Sequence, residues 1–489
     1  MNNEVISGPK KAGKVGNNKY GKRWLLPLIF IFGLMITLPY LNGFNFMVEY
    51  VLLNIFAFLA CCLLLTRLGP PLVKKLPIWI IFLYLLLFYF LKFYLLLVLP
   101  LDIPFTGAEL LHHSDELTVD VFRTTTYAFV AFCITSWLVL NPPSISSSNS
   151  KQLKSIRYKS LASFLKITVP FLMIVTGLLM YKYNIKMGTN EYLPFRLLGW
   201  TAYSRSILIP SLLLLLIYIS QNTNQTRNVN WGIGLLFMHG FSEVLLKTSR
   251  GALISILFMI TTLIIITSQM NKKHLRMIIS VMLFVAVLFP VIGIFRNIRA
   301  ANPSIVSSLD ETLYLSNELF SQSELIGIEV LSFFSRFVGT DYLTYVINAN
   351  FGNLYYELFT GVVTESELMK LAVGIPVWQA TGISPGLIGM LYLNGGLYFT
   401  IIGTSIFTMA VWIVWRLVSG LKIYTVPIAQ VLFLFQLITI LSEGIFRSVH
   451  LQTIVIAGSV AACECLTRSY RQVKDYNYNS LVPFKEGPS

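Results

Sequence analysis

The sequence predicts an all-α, polytopic integral membrane protein with about twelve transmembrane helices, and three observations predict it. Hydrophobic residues make up 55% of the 489-residue chain and charged residues only 12%, with a mean hydropathy of +0.70. A soluble fold has too little interior to hide that much apolar surface. The apolar residues are gathered into windows of roughly 20, the length a bilayer requires. Lys and Arg cluster between alternate windows, as retention of positive charge on the cytoplasmic side demands.

Taken in order, the windows centre near residues 32, 57, 88, 129, 171, 211, 239, 260, 286, 400, 433 and 458. Residues 1–23 precede them as a basic cytoplasmic tail with Lys10, Lys11, Lys14, Lys19, Lys22 and Arg23 against one acid, Glu4. This leader is too long, and its first apolar run too far from a small-residue cleavage site, for a removed signal peptide; the run is read as a retained first helix. Alternation then places Arg67, Lys74 and Lys75 inside, followed by Lys151, Lys154, Arg157 and Lys159, then Arg227, then Lys272, Lys273 and Arg276, then Arg416 and Lys422. The tail 468–489 closes inside with Arg468, Arg471, Lys474 and Lys485, whereas most of the 22 acids fall outside. Both termini are therefore expected in the cytoplasm.

Helices 1–9 occupy residues 24–296 and helices 10–12 residues 386–467. Between them, residues 297–385 form one large external loop domain, too rich in aromatic and apolar residues at helical spacing to be structureless. In "LSFFSRFVGTDYLTYVINANFGNLYYELF", Phe333 and Phe337 stand one helical turn apart, with Tyr342 following, so this loop is expected to be partly helical and partly interfacial. "SPGLIGMLYLNGG" restarts a spanning helix, with Ser384 as N-cap and Pro385 in the first turn. Shorter outside segments cover 101–118, with Asp102, Glu109, His112, His113, Asp115 and Glu116, and 182–205, with Lys182, Lys186, Glu191, Arg196 and Arg205.

The net charge of +15 does not mark a nucleic-acid binder, because it is spread over short loops rather than gathered into a stripe with exposed aromatics. Cys61, Cys62, Cys133, Cys463 and Cys465 all fall within helices, which gives neither disulfides nor a metal site. His112 and His113 point apart and have no third ligand at fixed spacing, so no metal and no cofactor is expected. His239 and Glu243, four residues apart in one apolar helix, are read as a satisfied core pair, a proton relay being the functional alternative.

What needs a reason is positive charge on the outer side. Lys247 and Arg250 lie where two windows meet, Arg296 and Arg299 at the exit of another, Arg196 and Arg205 before the window near 211, and Glu443, Arg447 and His450 between the last two. An arginine at the bilayer centre costs about 2.5–3.5 kcal/mol on insertion scales unless it snorkels or pairs. Taken singly, each reads as a headgroup anchor or an ion pair, such as Arg447 with Glu443 one turn before it. Taken as a set, they read as an anion site, because a guanidinium fork matches a diphosphate bidentately and stays charged.

"TSRGALIS" opening a helix, "FFSRF" in the large external loop and "TGISPGLIGMLYLNGGL" closing it resemble the Wzy family of O-antigen or oligosaccharide repeat-unit polymerases. The layout of some twelve helices with one dominant late external loop is similar too. The resemblance implies a GT-C-like, metal-independent glycosyltransferase of the bacterial cytoplasmic membrane, acting at its outer face. It would move a growing glycan from undecaprenyl diphosphate onto an incoming lipid-linked repeat unit. By motif, the family's functional arginines correspond to Arg250 and Arg336; a glycine at fixed distance after the loop arginines has no clean counterpart. Membrane lipids, a chain-length regulator and a flippase are the implied partners. Arg196, Arg205, Lys247, Arg296, Arg299 and Arg447 join the diphosphate set from charge placement alone. Stabilising the diphosphate leaving group needs only fixed cations, while the acceptor hydroxyl needs a carboxylate base, Glu443 first and Asp341 behind it. The rival readings are an O-antigen ligase, which would place a histidine in the external loop where residues 297–385 have none, and a non-enzymatic flippase or exporter, which predicts pseudo-symmetric halves.

Overall fold

The structure is a computed structural model that describes residues 25–41, 45–69, 73–98, 107–140, 156–183, 197–247, 251–267, 276, 280, 339–350, 365–374, 385–443 and 449–479. Among the described residues every regular element is helical. In chain order these are α1 (Leu28–Thr37), α2 (Met47–Leu68), α3 (Leu76–Leu85), α4 (Lys92–Val98), α5 (Ala108–His113), α6 (Asp115–Val139), α7 (Ile156–Lys182), α8 (Leu197–Tyr203), α9 (Ile209–Asn222), α10 (Thr226–Lys247), α11 (Gly251–Thr267), α12 (Thr340–Ala349), α13 (Glu365–Val373), α14 (Gly386–Gly420), α15 (Val426–Glu443) and α16 (Val449–Asn479). Two π-helical turns, Leu86–Leu91 and Ser204–Leu208, weld α3 to α4 and α8 to α9.

Among the described residues, seven helices are long and apolar enough to cross a bilayer: Met47–Leu68, Val73–Val98, Asp115–Val139, Tyr158–Lys182, Gly199–Asn222, Gly386–Gly420 and Val426–Glu443. Leu28–Leu41 and Ile254–Thr267 are shorter apolar helices. The windows near 239 and 458 are occupied by α10 and α16, and the window near 286 lies outside the described residues.

The outer faces identify the solvent. Along α7, Ile167, Phe171, Ile174 and Leu178 recur at helical spacing and are all exposed, while Leu161, Leu165 and Val169 are buried. Ile402, Ile406, Met409, Ile413 and Leu417 form the same exposed stripe on α14. Water would leave such stripes unpaid for, whereas lipid chains match them, so packing rather than water exclusion holds the helices together. That packing is dense. Phe30, Phe82, Phe90, Phe122 and Phe129, from α1, α3, the first π-turn and α6, meet with ring centroids 4.8–6.0 Å apart. A second cluster joins α7, α9, α10, α11 and α16, and α15 contributes to both.

The two ends of this body differ. At the lower end Arg67 lies 3.3 Å over the Trp137 ring and donates to its carbonyl at 2.8 Å, and Trp415 Nε1 donates to the Lys74 carbonyl at 3.0 Å. There Glu464 of α16 accepts from the Tyr424 and Thr425 backbone N–H groups, placing a carboxylate at the N-terminus of α15. At the upper end α2, α6 and α14 begin and α4 ends. Ser114 caps α6 by accepting from Leu117 N at 3.2 Å, with Asp115 and Glu116 in its first turn.

Three sequence expectations shift. The outside segments 101–118 and 182–205 are not simple loops: Glu109, His112 and His113 sit on α5, Asp115 and Glu116 open α6, and Arg205 lies inside a spanning helix. α14 starts at Gly386 with Pro385 in the capping position, one residue later than the Ser384 cap. α14 is also broken. Gly395 and Gly396 leave the helical region, and Gly396, at φ 67° and ψ −156°, occupies backbone space open only to glycine. Within 297–385, α12 and α13 are helical.

Candidate functional site

At the upper end, charged side chains within the apolar helices form three groups among the described residues. The first is centred on Arg205, 1% exposed. The π-turn at Ser204–Leu208 inserts one residue into the helix and turns this side chain inward between α7 and α10. Its Nε pairs with Glu243, Nη2 donates to Ser242 Oγ at 2.6 Å, and Nη1 donates to the Met173 carbonyl at 3.0 Å and to Thr176 Oγ1 at 3.2 Å. His239 Nε2 donates to the Arg205 carbonyl at 2.7 Å. Gly177 lets α7 approach, since a Cβ there would stand 3.2 Å from Nη1. Arg205 was expected to be a diphosphate ligand in an outside loop. Instead its guanidinium ties α7, α9 and α10 together from inside a span. His239 and Glu243 are buried in the same network, as their four-residue spacing suggested.

The second group docks α12. Lys92 Nζ lies 2.7 Å from Asp341 Oδ2, and Gly339 N donates to Asp341 Oδ1 at 3.1 Å. Thr340 Oγ1 donates to the Tyr89 carbonyl, a group at the π-turn. The fit has no spare room: a Cβ on Gly339 would fall 1.9 Å from the Phe88 carbonyl oxygen. Asp341 is fully buried. Burial pushes its carboxyl above the usual carboxylate range, and the Lys92 ammonium pulls the other way. Asp341 was the second candidate for general base. Enclosed by Lys92 and the turn at Gly339, it anchors α12 to α4 and has no open approach for an acceptor hydroxyl.

The third group was missed in the sequence. Arg123 of α6 closes a bidentate fork on Glu49 of α2, Nε to Oε1 at 2.7 Å and Nη2 to Oε2 at 3.0 Å, and its Nη1 donates to Asp120 one turn back. These side chains are about one-third exposed, at 31%, 35% and 36% for Arg123, Glu49 and Asp120. Tyr127 and, from α14, Tyr392 lie within electrostatic reach. The signal was present as an acid and an arginine three apart near the upper end of an apolar window, with Glu49 at the matching end of another.

No protein family, curated protein or solved structure matches this chain.

Of the other expected site residues, Glu443 is the last residue of α15 and exposed, the more accessible of the two candidate bases. Lys247 ends α10, one turn after Glu243. Arg196, Arg250, Arg296, Arg299, Arg336 and Arg447 lie outside the described residues. Among the described residues no three His, Cys, Asp or Glu side chains group to hold a metal ion. All five cysteines are free.

Proposed function

We propose that this chain is a metal-independent glycosyltransferase of the bacterial cytoplasmic membrane, GT-C-like with twelve spans and both termini inside. It polymerises undecaprenyl-diphosphate-linked oligosaccharide repeat units at the outer face for surface polysaccharide. The observation that carries the reading is the set of paired charges that the apolar helices hold at the upper end of a lipid-matched body, the end that the distribution of Lys and Arg assigns to the outside. A lipid-linked diphosphate needs that arrangement, with its tail held among apolar helices and its headgroup at the polar rim.

In the reaction, the bond between the anomeric carbon and the diphosphate oxygen breaks and the acceptor hydroxyl oxygen takes its place. The leaving group carries off the electron pair, and the hydroxyl proton passes to a carboxylate. Arg250 and Arg336, with Lys247, Arg196, Arg296, Arg299 and Arg447 around them, stabilise the charge growing on the leaving diphosphate. Glu443 is the base. Arg205 is absent from this set because its donors already meet protein acceptors.

The test is polymerisation by the purified full chain in nanodiscs, with lipid-diphosphate-linked repeat units from the native strain. Arg250→Ala and Arg336→Ala should each lower turnover at least about a hundredfold, the scale for loss of one oxyanion-stabilising group, while retaining the wild-type melting temperature. Full activity in both variants would remove the assignment. Transfer to a lipid A core acceptor instead would favour the ligase.

A further inference from the structure

We infer that the lower ends of α2, α3, α6 and α14 form a binding site for an anionic phospholipid of the leaflet at that end, with four cations at its rim and two indole donors one turn deeper. The inference does not depend on the polymerase reading.

Hydrogen bonds gather the members of the site. Arg67, in the last turn of α2, lies 3.3 Å over the Trp137 ring and donates to the Trp137 carbonyl, while Lys75 Nζ donates to the Arg67 carbonyl. Trp415 Nε1 donates to the Lys74 carbonyl, and Arg416 follows Trp415 on α14. Arg67, Lys74, Lys75 and Arg416 are thus brought together where α2 ends and α3 begins. Arg67 and Arg416 meet no carboxylate among the described residues. Retention of positive charge accounts for the side of the membrane on which these cations lie. It does not account for what accompanies them.

Four of the eight tryptophans, Trp79, Trp137, Trp412 and Trp415, stand at this end of the same helices. The Nε1 atoms of Trp79 and Trp412 are buried and have no hydrogen-bond partner among the described residues. An indole N–H can only donate, and a buried donor left unpaired is costly. Trp79 comes four residues after Lys75, and Trp412 three residues before Trp415. Because α3 and α14 run in opposite directions and pack against each other, both indoles lie about 5.4 Å, one helical turn, deeper than the cations.

A glycerophospholipid has this layout. Its phosphate oxygens meet the cations at the rim, and its ester carbonyls, which accept and never donate, lie further in at the depth of the indoles. Basic pockets between helices on this side suit anionic headgroups. A soluble anion would use the cations alone, and a zwitterionic lipid brings a cation of its own that they repel. The exposed Leu59 and Leu63 of α2, Leu83 of α3, and Ile413 and Leu417 of α14 continue the same helices as apolar surface for acyl chains.

The experiment is native mass spectrometry of the full chain in detergent, titrated with dioleoylphosphatidylglycerol or dioleoylphosphatidylcholine. The wild type should retain the anionic lipid in preference to the zwitterionic one. Arg67→Gln and Arg416→Gln should each weaken that binding about fivefold, the scale for one basic residue at an anionic headgroup. Trp79→Phe and Trp412→Phe, which keep an aromatic ring and remove the N–H, should each weaken it about threefold to tenfold. Lys159→Gln, which removes a cation from the start of α7, should leave it unchanged. Melting without added lipid reports folding; should Arg67→Gln fail to fold, Arg416→Gln, whose side chain is exposed, must show the weakened binding. Equal retention of the two lipids, an equal loss in Lys159→Gln, Phe variants that bind like the wild type, or displacement of the lipid by inorganic phosphate would overturn the site.

Discussion

At the scale of single residues, buried charge in an apolar body must be neutralised in place, and Arg205 and Asp341 show two ways of doing it. Arg205→Met takes from Glu243 its buried guanidinium partner and should cost about 3–5 kcal/mol, whereas pairing it with Glu243→Leu should recover most of the loss, because matched apolar replacement of an ion pair is near neutral. Thermal melting of the two variants checks this, and full stability of the single variant would mean the pair is not structural. Lys92→Met carries a pH signature. With Asp341 held above its unfolded value, the folded state binds the extra proton, so stability falls as pH rises through that window. Removing Lys92 takes away the main counterweight and widens it. The variant should therefore be weakest relative to wild type at pH 7.5 and recover as the pH approaches 5, a trend that melting curves across that range measure. Little of this was legible in sequence. His239 and Glu243 share a helix face and were paired on spacing alone, but Lys92 and Asp341 are 249 residues apart and Arg123 and Glu49 are 74 apart, so only the fold could join them.

At the scale of elements, the apolar windows gave the helices but not their irregularities. A π-turn adds one residue without changing the apolar pattern, so neither Leu86–Leu91 nor Ser204–Leu208 left a trace in composition, yet each positions a buried charge. The break in α14 was visible only as the dipeptide Gly395–Gly396, which a long apolar run absorbs. Two glycines test these devices. Gly339→Ala places a methyl inside the Phe88 carbonyl and should lift α12 off the π-turn, read as faster proteolysis of the 297–385 region with the spanning helices still protected. Gly396→Ala forces a side chain into glycine-only backbone space and should cost about 1–3 kcal/mol. A melting temperature unchanged by Gly396→Ala would mean that the break is not fixed.

At the scale of the whole molecule, composition alone specified the medium, because stripes such as Ile167, Phe171, Ile174 and Leu178 face outward where a soluble protein would bury them. Lys and Arg placement in the sequence predicts basic loops at the lower end and acids at the upper. Which outer cations belong to ligands and which to the fold was not readable from charge placement, because an arginine that ties helices together and one that awaits a diphosphate have the same local sequence; Arg205 fell into the first class. The central claim is that the polar end performs glycosyl transfer without a metal. Its most direct test is the wild-type chain in nanodiscs incubated with lipid-diphosphate-linked repeat units, with and without EDTA, and the products resolved by gel. A ladder of lengthening glycans, unchanged by EDTA, is the predicted result; no ladder from a folded preparation, or one that EDTA abolishes, would contradict it.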